Sequence, residues 1–312
     1  MPRFAVIDAP SVLGLKPTGV ERLPEALKAA GLMAGLNAEY AGRVTPPPYD
    51  ARRDPETLIL NPDALRLYSL ELAAVVAGVL QQGRFPLVLG GDCSNIIGIM
   101  LALRRVGRYG LVFIDGHADF YQPEAEPNGE VASMDLAIVS GRGPSVLTNI
   151  DGLRPLVRDE DIVAFGFRDA AQQREYGSQD IRHTAIHAFE LEEVRERGAR
   201  IAAEQAVGTL LRNGIEGFWI HLDADVLDDA IMPAVDYRLP GGLSWDELSV
   251  VMRVLMTTGQ AVGLNVGILN PALDADGSIV RRMASCMVAG LSNDAPIGSS
   301  SDEGPRKSAD DT

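Results

Sequence analysis

Three short segments carry carboxylate, imidazole and thiol groups at spacings that suit a divalent cation. Asp115-Gly116-His117-Ala118-Asp119 alternates carboxylate, imidazole and carboxylate. Side chains of an extended segment repeat every two residues, so all three face one side. That donor set suits a divalent ion; the other reading is a turn in which an Asp caps a helix and His117 packs. His221-Leu222-Asp223-Ala224-Asp225 brings Asp223 and Asp225 together by the same period. Two like charges so close raise each other's pKa unless a cation lies between them. Gly90-Gly91-Asp92-Cys93-Ser94 lets the backbone turn sharply and sets Cys93 where a ligand or a nucleophile would stand. By itself a buried cysteine is more often a small core residue. Asp115, His117, Asp119, Asp223, Asp225 and Cys93 exceed the donor count that one zinc usually takes. They suit two cations sharing bridging carboxylates, roughly 3.5–4 Å apart. His221 is expected to point away from Asp223 and to pack or support a ligand.

Each segment follows a short apolar run rich in β-branched residues. The runs are Phe4 to Ile7, Leu87 to Leu89, Leu111 to Ile114, Ile162 to Phe165, Phe218 to Leu222 and Ala261 to Ile268. Continuous runs of this kind suit strands buried on both faces of a parallel sheet. Helical segments lie between them. Asn61-Pro62 reads as an N-cap with a first-turn proline ahead of Ala64 to Leu80. Ser244-Trp245-Asp246-Glu247 reads as a capping box ahead of Leu248 to Met256, and a further helix is expected over Ile279 to Leu291. Pro46-Pro47-Pro48 marks a surface loop. Alternating strands and helices give a doubly wound α/β fold, whose sites assemble at the carboxyl ends of the strands.

The chain of 312 residues is 46% hydrophobic, enough for a large core, and it shows no internal repeat or interior linker. One domain over residues 1–291 is expected, followed by an acidic, disordered tail over 292–312 rich in Ser, Asp, Gly and Pro. A net charge of −15 argues against nucleic acid as a partner. No apolar run is long enough to cross a membrane and no secretory signal is visible. With only two cysteines, Cys93 and Cys286, disulfides are not the stabilising plan, and a cytoplasmic location is expected. A nucleotide-binding oxidoreductase ranks last among the readings, because no Gly-x-Gly-x-x-Gly follows the first strand.

Taken together, the three acidic segments resemble the ureohydrolase family of arginase, agmatinase and formimidoylglutamase. The family pattern is Gly-Gly-Asp-His-Ser, Asp-Ala-His-x-Asp and Asp-x-Asp-x-x-Asp-Pro, then Gly-Gly-Leu. Here it reads Gly90 to Ser94, Asp115 to Asp119, Asp223 to Asp229 and Gly241-Gly242-Leu243. Thr18 to Glu21, Phe165 to Asp169 and Asn270-Pro271 extend the likeness over residues 3 to 290. The resemblance implies a three-layer α/β/α fold around a mainly parallel, roughly eight-stranded sheet, assembled as a trimer or hexamer. It implies two divalent ions, manganese by family habit, bridged by Asp115 and Asp223. His117 and Asp225 would complete one shell, and Cys93 and Asp119 the other. A metal-bridging hydroxide would attack a trigonal carbon of a small-molecule substrate, and Asp119 would carry the proton to the leaving nitrogen.

Three departures shape the functional expectation. Cys93 stands where the family has a histidine ligand. A thiolate would favour Zn2+, Fe2+, Co2+ or Ni2+ over Mn2+. Cys93 as ligand, a weakened first metal, and Cys93 as nucleophile are all open, though no neighbouring base is evident for the last. The glutamate that pairs with the substrate's guanidinium in arginase and agmatinase corresponds to Ile268, and an unpaired buried charge is costly. The chain is therefore not expected to be a true arginase or agmatinase; a neutral amidine, formimino, amide-like or hydroxylated guanidine head fits better. The loop Phe120 to Glu130 differs from the family's, and Tyr121, Gln122, Glu124, Glu126 and Asn128 are candidates to contact substrate. An ordinary acidic surface loop is the other reading. His183 and His187 read as structural. The competing functional reading is a catalytically inactive, metal-binding subunit or regulator.

Overall fold

Alternate residues of each strand face opposite ways, and the two sets pack into two apolar layers. Phe4, Val6, Leu87, Leu89, Val112, Ile114, Phe218, Ile220 and Leu222 belong to one layer. Ala5, Ile7, Val88, Leu111, Phe113 and Trp219 belong to the other. Burial on both faces is why these strands read as unbroken apolar runs. In the computed structural model, which describes residues 2–292, eight strands form one sheet. They are β1 (Phe4–Ala9), β2 (Glu39–Arg43), β3 (Phe85–Gly90), β4 (Gly110–Ile114), β5 (Ile162–Phe165), β6 (His187–Phe189), β7 (Phe218–Asp223) and β8 (Ala261–Gly267). Their order is β2-β1-β3-β8-β7-β4-β5-β6, and every neighbouring pair is parallel. The expected tail lies outside the described residues, except for Ser292.

The helices Ala199–Leu211, Trp245–Thr257 and Ser278–Leu291 cover the first face. The helices Pro62–Gln81 and Asn95–Arg104 cover the second. This is the expected three-layer α/β/α fold. No helix among the described residues is long and apolar enough to cross a membrane. Ser244 and Glu247 form the expected capping box. Asn61 precedes the first turn of Pro62–Gln81 as expected, but its side chain does not cap the helix. Its φ of 51° turns the amide away, so that Nδ2 donates to Leu13 O and Oδ1 accepts from Asp50 N.

The central strands β3, β8, β7 and β4 are neighbours. Their carboxyl ends release the Cys93 turn, Ile268, Asp223 and Asp115 respectively, so residues far apart in the chain arrive at one sheet edge.

Candidate metal centre

Gly91 makes the first turn possible. A Cβ there would collide with the carbonyl oxygen of Ser11, so only glycine lets the loop after β1 lie against the turn after β3. Asp92 then fixes that contact by accepting from Gly14 N at 3.1 Å and from Ser94 N at 2.9 Å. Burial raises Asp92 to about 6 despite these bonds. The turn delivers the Cys93 thiol to Asp223, where Sγ donates to Oδ2 at 2.8 Å.

Strand geometry accounts for only part of the second segment. β4 ends at Ile114, and the chain turns as His117 N donates to Asp115 Oδ1 at 2.7 Å. Asp119 has a φ of 44°, a strained value for a residue with a side chain. Asp115, His117 and Asp119 converge all the same, with one donor atom from each lying within 4.8 Å of the others. The turn, not strand alternation, brings Asp119 in. Asp223 closes β7 and accepts from Asp225 N at 2.7 Å. Asp225 accepts from Gly116 N at 3.1 Å and faces His117 Nδ1 at 2.9 Å, which joins the second and third segments. Arg168 and Asp169, at the end of β5, brace both: Arg168 Nη2 donates to Asp225 O at 3.0 Å, and Asp169 accepts from Ala118 N at 3.1 Å.

The electrostatics of this cluster call for a cation. Burial, reinforced by neighbouring carboxylates, pushes Asp119 and Asp223 well above the usual carboxylate range and the Cys93 thiol above the usual thiol range. Asp115 rises to about 7 from burial and the charge of Asp225. Burial opposes the charged form of His117, but Asp225 and Asp115 outweigh it and raise its pKa. Asp115 Oδ2 is buried without a hydrogen-bond partner. Buried polar atoms in native proteins nearly always have partners, and a cation would supply this one. Cys93, Asp115, His221 and Asp223 form one group of donors within 4.8 Å of one another, and Cys93, Asp119 and Asp135 form another. The carboxylates, with His117 and Cys93, therefore fit a pair of divalent ions.

His221 differs from expectation. It lies two residues from Asp223 on one strand, so the two share a face of the sheet and His221 does not point away. Its tautomer follows from its neighbours. Trp219 Nε1 can only donate, so the atom 2.8 Å from it must be Asn265 Oδ1. Asn265 Nδ2 then donates to His221 Nδ1 at 2.8 Å, which leaves the imidazole proton on Nε2. That N–H faces Asp115 Oδ2 at 3.9 Å. Burial lowers His221 to about 3, so the ring is neutral, and it stacks on Phe113. His221 therefore presents a donor to Asp115 rather than a lone pair to a metal.

A cavity of about 190 Å³ opens above the cluster. His117, Asp119, Asp223 and Asp225 reach its floor, and Tyr121, Glu126 and Asn128 line its wall. Gln122 and Glu124 do not line it. Gln122 is taken up by Gln179 N, which donates to its Oε1 at 2.7 Å, and Glu124 points to solvent. Ile268 lines the cavity with a φ of 67°, rare for a β-branched residue, held by its N–H donating to Gly91 O at 2.8 Å. Sequence reasoning missed Glu130 and Tyr237. Tyr237 Oη donates to Glu130 at 2.6 Å, and Lys16 pairs with the same carboxylate at 2.6 Å. It also missed Asp135, whose one signal is a lone charge in the apolar run Met134 to Val139. His187 sits on the edge strand β6, away from the site.

A model of the arginase family matches residues 3–292. The arginase of Brevibacillus brevis is 30% identical over 293 residues, 91% of this chain and 96% of the relative. The arginase of Staphylococcus aureus (strain COL) is 27% identical over 288 residues, 90% of this chain and 94% of the relative. The solved structure of arginase from Bacillus caldovelox superposes with a TM-score of 0.83 at 28% identity, covering 93% of this chain and 98% of that one.

Proposed function

This chain belongs to the arginase family of metal-dependent carbon–nitrogen hydrolases, and from that premise we propose that it cleaves a linear amidine-type substrate other than arginine or agmatine. A neutral amidine, a formimino group, an amide-like head and a hydroxylated guanidine are the candidates. The observation that carries the reading is Ile268 in the wall of a cavity floored by metal-ligand carboxylates. A guanidinium seated there would have no anion at 268 to offset its desolvation.

Asp115 and Asp223 would be shared between two cations, with His117 and Asp225 on one and Cys93 and Asp119 on the other. Bound cations supply Lewis acidity, which lowers the pKa of water toward neutrality. The remaining work falls to the chain. Asp119 reaches the cavity floor, where it would carry the proton to the leaving nitrogen. Ile268 keeps the reacting head in apolar contact. Glu126 and Asn128, on the wall, would accept and donate hydrogen bonds at the substrate's far end. Lys16 and Tyr237 already hold Glu130, so Glu130 fixes the wall. By family resemblance the chain would assemble as a trimer or hexamer, which light scattering on the eluted protein would measure.

A substrate panel tests the reading. The protein is loaded in turn with Mn2+, Zn2+, Co2+, Ni2+ and Fe2+ and assayed for nitrogen release from guanidino, formimino, amidine and amide compounds. Turnover of a non-guanidinium head, lost in Asp119→Asn, is the expected result. Arginine as the best substrate would overturn the specificity. A metal-loaded chain inert to the whole panel would return the alternative, a non-catalytic metal-binding subunit.

A further inference from the structure

We infer that Asp135 is a metal ligand, and that Cys93, Asp119 and Asp135 hold one cation through a thiolate and two carboxylates. The inference rests on the reading that this cluster binds metal, and it adds a donor that the three acidic motifs do not contain.

Asp135 opens the short helix Asp135–Val139, among Met134, Leu136, Ala137 and Ile138, all buried. Its side chain is fully buried, and neither carboxylate oxygen has a hydrogen-bond partner. An unpartnered, fully buried carboxylate is rare in a native protein. Its carboxylate lies near the backbone N–H groups of the helix's first turn, its own and that of Leu136, which favour its charge, but closes no hydrogen bond with either. Among the described residues no Lys or Arg forms an ion pair with it. What does lie near it is the cluster, where one Asp135 oxygen, the Cys93 sulfur and one Asp119 oxygen are mutually within 4.8 Å. Three donors at that spacing can close around an ion by small side-chain rotations.

The two departures on this side of the site then explain each other. Cys93 replaces a neutral imidazole with a softer donor that is anionic when it binds. Asp135 adds a hard oxygen donor from a different element. The resulting sulfur–oxygen set suits a borderline ion such as Zn2+, Co2+ or Fe2+ better than Mn2+. Asp135 and Cys93 are absent from the residues that line the cavity, so they would hold the ion from the side away from the substrate and Asp119 from the cavity side.

The test uses the full chain and zinc or cobalt alone as probe. Asp135→Asn keeps the volume and removes the anion. Wild type is expected to retain two ions per chain after dialysis. Asp135→Asn should retain one, or bind the second at least tenfold more weakly, with a weakened thiolate-to-cobalt absorption. Its metal-free melting temperature should equal or exceed wild type's, because a buried unpaired carboxylate has been neutralised, and its rise on adding metal should be smaller. A merely structural Asp135 would lower the metal-free melting temperature instead. Should the variant fail to fold, a crystal structure of zinc-loaded wild type decides: Asp135 Oδ at roughly 2.0–2.2 Å from zinc supports the inference. Two ions bound with wild-type affinity in Asp135→Asn, or an Asp135 carboxylate beyond bonding distance of zinc, overturns it alone. A wild-type chain that takes up no metal overturns the functional reading as well.

Discussion

Ile268 separates two demands that its position makes at once. Its backbone adopts φ 67°, which a β-branched residue resists, yet the N–H bond to Gly91 O holds it there. The conformation turns whatever side chain stands at 268 toward the cavity. The residue itself then decides the charge of the substrate head. Ile268→Glu should therefore raise kcat/KM for arginine or agmatine by at least tenfold while lowering it for the native class of substrate. Steady-state kinetics on both substrates of the metal-loaded variant check this; no gain with either guanidinium would remove Ile268 as the specificity determinant. Asp119 is the other strained residue at the site, with φ 44°, and the two lie on the same cavity. Asp119→Asn should lower kcat by at least a hundredfold with a smaller change in KM, as loss of a proton carrier does. Equal loss in kcat and in metal content would make it a ligand only.

At the scale of elements, the strands that read clearly are those buried on both faces. Six apolar runs correspond to β1, β3, β4, β5, β7 and β8. The two without such a run, β2 and β6, are the edges of the sheet. An edge strand buries less, and Glu39–Arg43 is polar and largely exposed, so no apolar signal marks it. The resemblance, not periodicity, supplied the expectation of about eight strands. The site divides the same way. Donors within one contiguous segment are legible because few residues separate them, although a turn past the end of β4 and not strand alternation brings Asp119 in. Glu130, Asp135 and Tyr237 lie outside the three acidic segments, Asp135 at the head of a short helix, and only the folded chain brings them in. His221 was misplaced by a miscounted alternation. The polar relay inside β7 and β8 makes an element-scale prediction. Asn265→Leu preserves size but strands Trp219 Nε1 and His221 Nδ1 without partners in the core. Each orphaned group costs about 1–3 kcal/mol. Urea unfolding should show a loss of about 2 kcal/mol or more. Ser244→Ala, which removes an exposed capping box, should cost about 1 kcal/mol and leave metal content unchanged.

For the whole molecule, the clustered acids make stability depend on pH in a way that metal reverses. Burial and Asp225 raise Asp115 from 3.8 to about 7, so between about pH 4 and 7 the folded, metal-free chain holds a proton that the unfolded chain has released. Stability falls as pH rises wherever the folded state binds more protons, so this group weakens the metal-free fold across that window. Asp119 and Asp223, also raised, act with the same sign. So does His117, whose stabilising charge is fully present below 6.5 and is lost as pH rises through its elevated folded pKa. Asp225, depressed by His117 despite its burial, acts oppositely, but it loses its contribution only below the usual carboxylate range. Cations bind the deprotonated ligands, so their affinity climbs as pH rises. The metal-free chain should therefore melt at a lower temperature at pH 8 than at pH 5, while the stabilisation produced by saturating metal should be larger at pH 8. Thermal melts of chelated and metal-loaded protein at the two pH values measure both quantities. A metal-free melting temperature that rises from pH 5 to pH 8, or a metal effect independent of pH, would mean that these carboxylates are not the groups the cation displaces protons from.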